Sequence, residues 1–126
     1  MSSATSTDLF RSKLINQCYD ELIVAGAAKA VFGDQGHNLD GSAKAALTTQ
    51  TDLYNQIISV DVAESDIVIE GSGLRVTGRL PVGTLSGATI SEFGIKMNGT
   101  LIGVRNSGPK IKDSDEEFTT SMTFLF

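Results

Sequence analysis

The spacing of apolar side chains changes along the chain from a helical period to a period of two. Near the start, apolar residues recur at every fourth position: Phe10, Leu14, Cys18 and Leu22. This stripe predicts an amphipathic helix that buries one face. Thr7 and Asp8 suit its beginning, because threonine caps free backbone N–H groups and a carboxylate favours the positive end of the helix dipole. We place the helix at about residues 8–25, ending near Gly26.

The middle of the chain predicts a loop followed by strands. Residues 33–42 are rich in turn-forming Gly, Asp, Asn and Ser, which indicates a loop. The preceding AAKAVF fits either a short strand or a last irregular turn, and residues 43–56 leave room for one helical turn. From Ile57 onward apolar and polar side chains alternate, which is typical of strands with one buried face. Gly71-Ser72-Gly73 interrupts that alternation as a bulge or a turn.

Asn98-Gly99 predicts the turn of a β-hairpin, because both central positions of a type I′ turn need a positive φ. The flanking residues alternate in a register centred on this turn. In that register six side chains share one face as three opposed pairs: Met97 with Thr100, Ile95 with Ile102, and Phe93 with Val104. The turn and the alternation agree, which fixes the register.

The C-terminal residues predict a last strand with an apolar face. Phe118, Met122, Phe124 and Phe126, together with Thr120, alternate with Thr119, Ser121, Thr123 and Leu125. A strand this apolar must be paired, either within the sheet or against another chain, so we consider Phe118, Met122, Phe124 and Phe126 an assembly strand. The charged KIKDSDEE before it is a solvated link.

The predicted elements make an α+β domain that is mainly β. An N-terminal helix packs on an antiparallel sheet or a small β-sandwich of five or six strands. A length of 126 residues suits one domain, 1–126, with residues 1–6 flexible.

Charge and composition exclude several classes of binding partner. The net charge is −5 and the ten Lys and Arg residues are scattered, so we expect no nucleic-acid binding and no binding to an anionic membrane surface. The longest apolar stretch contains Lys29 and is too short to span a bilayer, and no signal peptide is recognisable. We therefore expect a soluble protein made in the cytoplasm. Cys18 is the only cysteine and reads as a small core residue.

Candidate chemistry is sparse. Asp34, His37 and Asp40 are metal-capable side chains spaced three apart in the Gly-rich loop, but they match no established metal loop. Turn chemistry explains the same residues. The sequence contains no nucleophile elbow and no phosphate-binding loop. We expect no catalytic residues and no cofactor.

Three stretches in order resemble a known family. Phe32-Gly33-Asp34 follows the predicted helix, and Pro109-Lys110 precedes the last strand. Between them lies a pattern of spaced residues: Ile90, Glu92, Gly94, Gly99, Leu101, Ile102 and Val104. This order is similar to that of the tail-collar fibre domain of bacteriophage tail fibres. Lys96 and Met97 depart from the bulky residue and Asp that are common in the family.

The resemblance implies a structural virion protein rather than an enzyme. Such a protein would link tail fibres to the baseplate of a phage or a contractile tail-like particle. It would contact other tail, baseplate and fibre proteins and form a homo-oligomer, often a trimer. Because the chain ends at Phe126 without a fibre shaft, we expect an adaptor or connector. One alternative is a free-standing β-rich binding module for a carbohydrate or peptide, and another is a small hydrolase or metal enzyme.

Overall fold

The fold consists of one α-helix and seven strands over the residues that are described. A computed structural model describes Thr5 and residues 7–126, so the prediction for residues 1–6 lies outside the described residues except at Thr5. A short 3₁₀ turn covers Glu64–Asp66. The elements, in chain order, are α1 (Asp8–Leu22), β1 (Ala28–Gly33), β2 (Gln56–Asp61), β3 (Ile67–Glu70), β4 (Gly73–Leu80), β5 (Thr89–Met97), β6 (Thr100–Ile111) and β7 (Phe118–Leu125).

The strands form two antiparallel sheets packed face to face. The strand orders are β2-β1-β5-β6 and β3-β4-β7. The two sheets come close together at Gly78, since a Cβ there would lie 2.7 Å from the Phe93 ring and 2.8 Å from Ala30 Cβ. The Phe32 and Phe118 rings meet edge to face across the same interior, with centroids 6.0 Å apart. The predicted fold class, α+β and mainly β, is confirmed.

The helix begins as predicted. Thr7 Oγ1 accepts a hydrogen bond of 3.2 Å from the Phe10 N–H. The helix ends at Leu22, somewhat earlier than expected. The predicted stripe is wrong at Phe10, whose exposed fraction is 53%, whereas Ile15 and Leu22 are buried. The helix face that borders the Gly71-Ser72 turn carries Asp8, Arg11, Ser12 and Ile15, and Phe10 is not among these residues.

Three segments left open by the sequence are resolved by the fold. AAKAVF includes most of β1, which lies inside the first sheet between β2 and β5. Gly71-Ser72-Gly73 forms a tight turn, because Glu70 pairs directly with Gly73. Residues 43–56 contain turns and coil but no helical turn. Strong β-propensity at Val31 and Phe32 agrees with the strand.

The Asn98-Gly99 turn is confirmed, but part of the predicted hairpin register is wrong. Asn98 and Gly99 both have positive φ, 51° and 85°. Met97 faces Thr100 as predicted. Lys96 opposite Leu101 also keeps the predicted register, which fails from Ile95 onward.

A bulge at Ile102 causes the difference. Lys96 pairs with Leu101 and Ile95 with Gly103, so Ile102 is an extra residue on β6. The shift places Arg105, not Val104, opposite Phe93, while Val104 pairs with Gly94 and therefore lies on the other face of the sheet. Ile102 still packs against the edge of the core.

The last strand pairs within its own chain. β7 pairs with β4 over eight residue pairs without a register shift. The side chains of Phe118, Met122, Phe124 and Phe126 are partly buried and pack against the core. These four side chains therefore stabilise the sandwich, and an assembly role for the strand has to come from its backbone edge.

Candidate functional site

A long loop, residues 34–55, connects β1 to β2 and packs on the outer face of the first sheet. Leu53 is the buried apolar side chain of this loop. It sits over the sheet where Gly94 leaves space: a Cβ at Gly94 would lie 3.1 Å from Leu53 Cδ2 and 3.0 Å from Val31 Cγ2. The loop is thus attached to the sheet by packing as well as by its two ends.

Glu92 joins both ends of the loop. Its exposed fraction is 1%. Oε2 accepts backbone hydrogen bonds from Gln35 (3.2 Å) at the start of the loop and from Asn55 (3.0 Å) at its end. Oε1 accepts a third from Tyr54. A buried carboxylate is tolerated only when hydrogen bonds replace its hydration, and three backbone donors do so here. We call this arrangement the Glu92 clamp.

Two glycines let the loop come this close. A Cβ at Gly33 would lie 2.2 Å from Glu92 Oε2 and 2.4 Å from the Asn55 carbonyl oxygen. A Cβ at Gly36 would lie 2.1 Å from the Ser91 carbonyl oxygen. Real side chains do not reach such distances from a backbone, so only glycine fits at both positions.

Ser91 holds the start of the same loop. The Gly36 N–H donates to Ser91 Oγ (2.8 Å), and His37 Nδ1 lies 2.9 Å from the same oxygen. Ser91 is 1% exposed, so this serine–histidine contact positions the loop and leaves the hydroxyl out of reach of a substrate. Ser91 and Glu92 both lie in the part of β5 that is buried from Ile90 to Ile95, beside a register shift between Ile90 and Glu92.

The tip of the loop is a small turn with an exposed leucine. His37 and Ala43 form an isolated bridge below it. Asp40 accepts hydrogen bonds from the Ser42 hydroxyl (2.6 Å) and the Ser42 N–H (3.0 Å). These bonds lower the pKa of Asp40, because they favour its charged form. Leu39 at the tip is fully exposed.

The metal-capable residues are not brought together. His37 contacts Ser91, Asp40 binds Ser42, and Asp34 Oδ1 accepts a hydrogen bond of 2.7 Å from the Asn55 side chain. Within residues 7–126 and Thr5, no group of three or more His, Cys, Asp or Glu side chains is arranged to hold a metal ion. Turn chemistry accounts for Asp40, whereas Asp34 and His37 contact residues far along the chain and hold the loop in place.

The far end of the loop is fixed by charges. Lys96 Nζ lies 3.1 Å from Asp52 Oδ1. The Leu53 N–H, which donates to Asp52, and then Lys96 lower the pKa of that carboxyl. Lys44 Nζ lies 4.6 Å from the centroid of the Tyr54 ring, a cation–π contact that holds the two halves of the loop together.

Two shallow clefts lie along the loop. One cleft, of about 260 Å³, lies between residues 46–50 of the loop and the bulged part of β6. The other, of about 330 Å³, is lined by Gln35, His37, Asn38, Leu39 and Lys44. Both are open surface features with mixed polar and apolar walls, which suits contact with another molecule better than enclosure of a reacting group.

Sequence reasoning missed the clamp. In the sequence Glu92 stands out only as part of the family resemblance, and Ser91 carries no signal of its own. The available signal was a carboxylate in the middle of the apolar strand ISEFGI, together with Gly33 and Gly36 at a fixed spacing. A charged residue at the centre of a strand that is otherwise apolar indicates a buried carboxylate with backbone donors.

No protein-family model matches the chain, and no curated protein matches it significantly. Among the described residues, α1 falls short of the length and apolar character that a membrane-spanning helix needs.

Proposed function

We propose that this chain is a structural component of a phage tail or a contractile tail-like particle, where it connects tail fibres to the baseplate. It acts there with other tail, baseplate and fibre proteins, and as a homo-oligomer. It performs no reaction and needs no cofactor. Its place is the virion, after synthesis in the host cytoplasm.

One observation supports this proposal most: the three stretches that carry the family resemblance meet at Ile90–Glu92. Gly33 and the residues after it wrap around Ser91 and Glu92. Lys110 of the third stretch pairs directly with Ile90. Motifs that are far apart in sequence thus form one hydrogen-bonded unit, as expected if the resemblance reflects a shared structural module.

The arrangement of polar groups supports the same proposal. Buried Ser91 and Glu92 are used to attach the loop, and Asp40 is used to shape its tip. The result is a preformed surface with the exposed Leu39 at its tip, and a preformed surface lowers the entropy cost of binding another subunit.

A mass-spectrometric inventory of purified particles tests the proposal. We expect this chain in phage or tail-like particles from the source culture, at a fixed ratio to their tail proteins. Its absence from clean particles, with abundance in the lysate, would contradict the proposal. That result would favour a free-standing module for a carbohydrate or peptide, and binding to the clefts beside the loop would then be measured with glycans and peptides.

A matched pair of variants tests the role of the loop. Leu39 on the loop tip and Leu9 on the helix are both strongly exposed, at 110% and 85%. Particles that lack the chain would be complemented with Leu39→Asp or with Leu9→Asp. We expect Leu39→Asp to reduce incorporation and Leu9→Asp to leave it unchanged. Equal incorporation of both variants would show that the loop tip is not the contact.

A further inference from the structure

Three of the four edge strands among the described residues carry a feature that hinders pairing with another strand. β2 ends on the charged Asp61, and its pairing with β1 is irregular at Gly33. β3 has four residues and lies against α1. β6 is interrupted by two register shifts and contains Pro109. Charges, bulges, short length and proline all blunt a sheet edge.

β7 is the exception. Its eight residues, FTTSMTFL, contain no charge, no proline and no glycine, and its pairing with β4 is regular throughout. The Phe126 N–H donates to the Ser72 carbonyl. The alternation of an antiparallel ladder then turns the backbone groups of the odd-numbered residues, from Thr119 to Leu125, away from β4. A regular, uncharged edge of this kind is a template for another strand.

We propose that β7 pairs in antiparallel fashion with β7 of a second copy of this chain, about a two-fold axis at Met122. Directly opposite residues must share a face, so Met122 faces itself, Thr119 faces Leu125 and Phe118 faces Phe126. This pairing also covers part of Leu125, which is 80% exposed. An interface with two-fold symmetry uses the same edge of both copies and therefore closes as a dimer.

The distribution of charge favours a second copy of the chain as the partner and an antiparallel arrangement of the two β7 strands. The acidic residues Asp113, Asp115, Glu116 and Glu117 directly precede β7. A parallel pair would place the two acidic segments side by side, where like charges repel. The antiparallel pair separates them and leaves Glu117 outside the paired residues. Because β7 itself is uncharged, two copies of it meet without like charges opposing each other, although the chain carries a net charge of −5.

The Arg105 side chain occupies part of the free edge of β7. Its Nη1 donates to the Ser121 carbonyl oxygen (2.7 Å) and its Nη2 to Thr120 Oγ1. The guanidinium lies 5.5 Å from the centroid of the Phe93 ring. The Ser121 carbonyl is one of the outward groups that a second strand needs, so Arg105 must release it before the strands can pair. The side chain therefore weakens the dimer and keeps it reversible.

The inference gives a structural form to the homo-oligomer proposed above and rests on that part of the proposal. It is tested with the purified chain alone. If the purified chain does not dimerise through β7, the particle inventory still tests the tail function. If the chain is absent from particles, the dimer in solution still stands.

Sedimentation velocity over a concentration series tests the pairing. We expect a monomer–dimer equilibrium. Thr123→Pro should abolish the dimer, because it removes an outward N–H without touching the pairing with β4. Thr123→Val, which keeps that N–H, should retain it. Arg105→Ala should tighten the dimer by about tenfold, the factor expected for releasing one charge-assisted hydrogen bond.

Three results would overturn the inference: a chain that stays monomeric in both the native form and Arg105→Ala, a trimer, or a dimer that folded Thr123→Pro leaves intact. Amide exchange on the native chain gives a readout that needs no variant. The N–H groups of Thr119, Ser121, Thr123 and Leu125 should become protected as concentration rises. Unchanged exchange of these four amides in the associated state would equally reject β7 as the interface.

Discussion

The ladders β5–β6 and β4–β7 each join long antiparallel strands, yet they differ in regularity. The β4–β7 ladder runs through eight pairs without a shift, whereas the β5–β6 ladder shifts twice. The irregular ladder carries the buried polar residues Ser91 and Glu92 and the long loop, while the regular ladder carries an apolar inner face and an open edge. Irregular pairing thus coincides with the region that holds the loop.

The physical reason is that a regular ladder turns successive side chains to opposite faces. Ser91 and Glu92 are adjacent in sequence, yet both accept hydrogen bonds from the loop. Residues 107–109 on β6 lie opposite Ser91 alone, which lets the strand bend locally. A shift of this kind gives the loop two neighbouring anchors, which a regular strand would have separated.

Loss of the Glu92 carboxylate should have the largest effect on stability. Glu92→Ala leaves three partly buried backbone N–H groups without an acceptor, and we expect a loss of about 3 kcal/mol in the free energy of unfolding. Chemical denaturation measures it. Glu64→Ala, at an exposed position, is the control and should change the free energy by less than about 0.5 kcal/mol. Equal losses in the free energy of unfolding for the two variants would show that the Glu92 carboxylate does not stabilise the fold.

Adding a methyl group at Gly36 should have the second-largest effect on stability. Gly36→Ala forces Cβ against the Ser91 carbonyl oxygen, a backbone atom that cannot move aside, and we expect a loss of about 2 kcal/mol. Gly73→Ala on β4 is the matched substitution in the regular ladder, where the nearest atom is a Thr123 methyl group at 3.1 Å. We expect thermal melting to show a clearly smaller change there. The comparison fails if Gly73→Ala is the more damaging of the two.

The Asn98-Gly99 turn should be moderately sensitive. Gly99 has a φ of 85°, which a β-branched residue resists, so Gly99→Val should cost about 1–2 kcal/mol. Thr100→Val, one residue further along in β6, has extended backbone and should be nearly neutral by the same thermal melts. An unchanged melting temperature for Gly99→Val would reject the turn.

The Asp52–Lys96 contact should give the smallest effect, with a defined pH dependence. Because the pKa of Asp52 is lowered in the fold, its contribution is present above the unfolded pKa near 3.8 and is lost as pH falls through the folded pKa. The side chain is largely exposed, so we expect only a few tenths of a kcal/mol. Asp52→Asn should narrow the difference between stability at neutral and at acidic pH. Asp20→Asn on the exposed face of α1 is the control, and an identical pH profile for the two variants would contradict the assignment.

The regular parts of the fold were predictable from the sequence, and the irregular parts were not. Alternation correctly placed the inner face of β7 at Phe118, Met122 and Phe124, and the dipeptide at Asn98 correctly placed the turn. The same alternation failed at Ile102 and Val104, because a single extra residue reverses every later side chain. No local signal marks that bulge.

The candidate site was only partly predictable for a related reason. Gly33 and Gly36 indicate a loop in the sequence. Glycine is required at both positions because Glu92 and Ser91, more than fifty residues away along the chain, approach them closely. The pairing of β1 with β5 brings them together. That contact depends on the order of strands in the sheet, which local patterns do not specify.

Amide hydrogen exchange at Gln35, Tyr54 and Asn55 tests the Glu92 clamp most directly. We predict that these three N–H groups exchange as slowly as those of β1 in the native chain, although they lie in a long loop. In Glu92→Gln, whose amide places a donor against one or more of them, all three should lose protection together while the β4–β7 ladder keeps its own. Fast exchange of the three amides in the native chain, or unchanged protection in Glu92→Gln, would contradict the clamp.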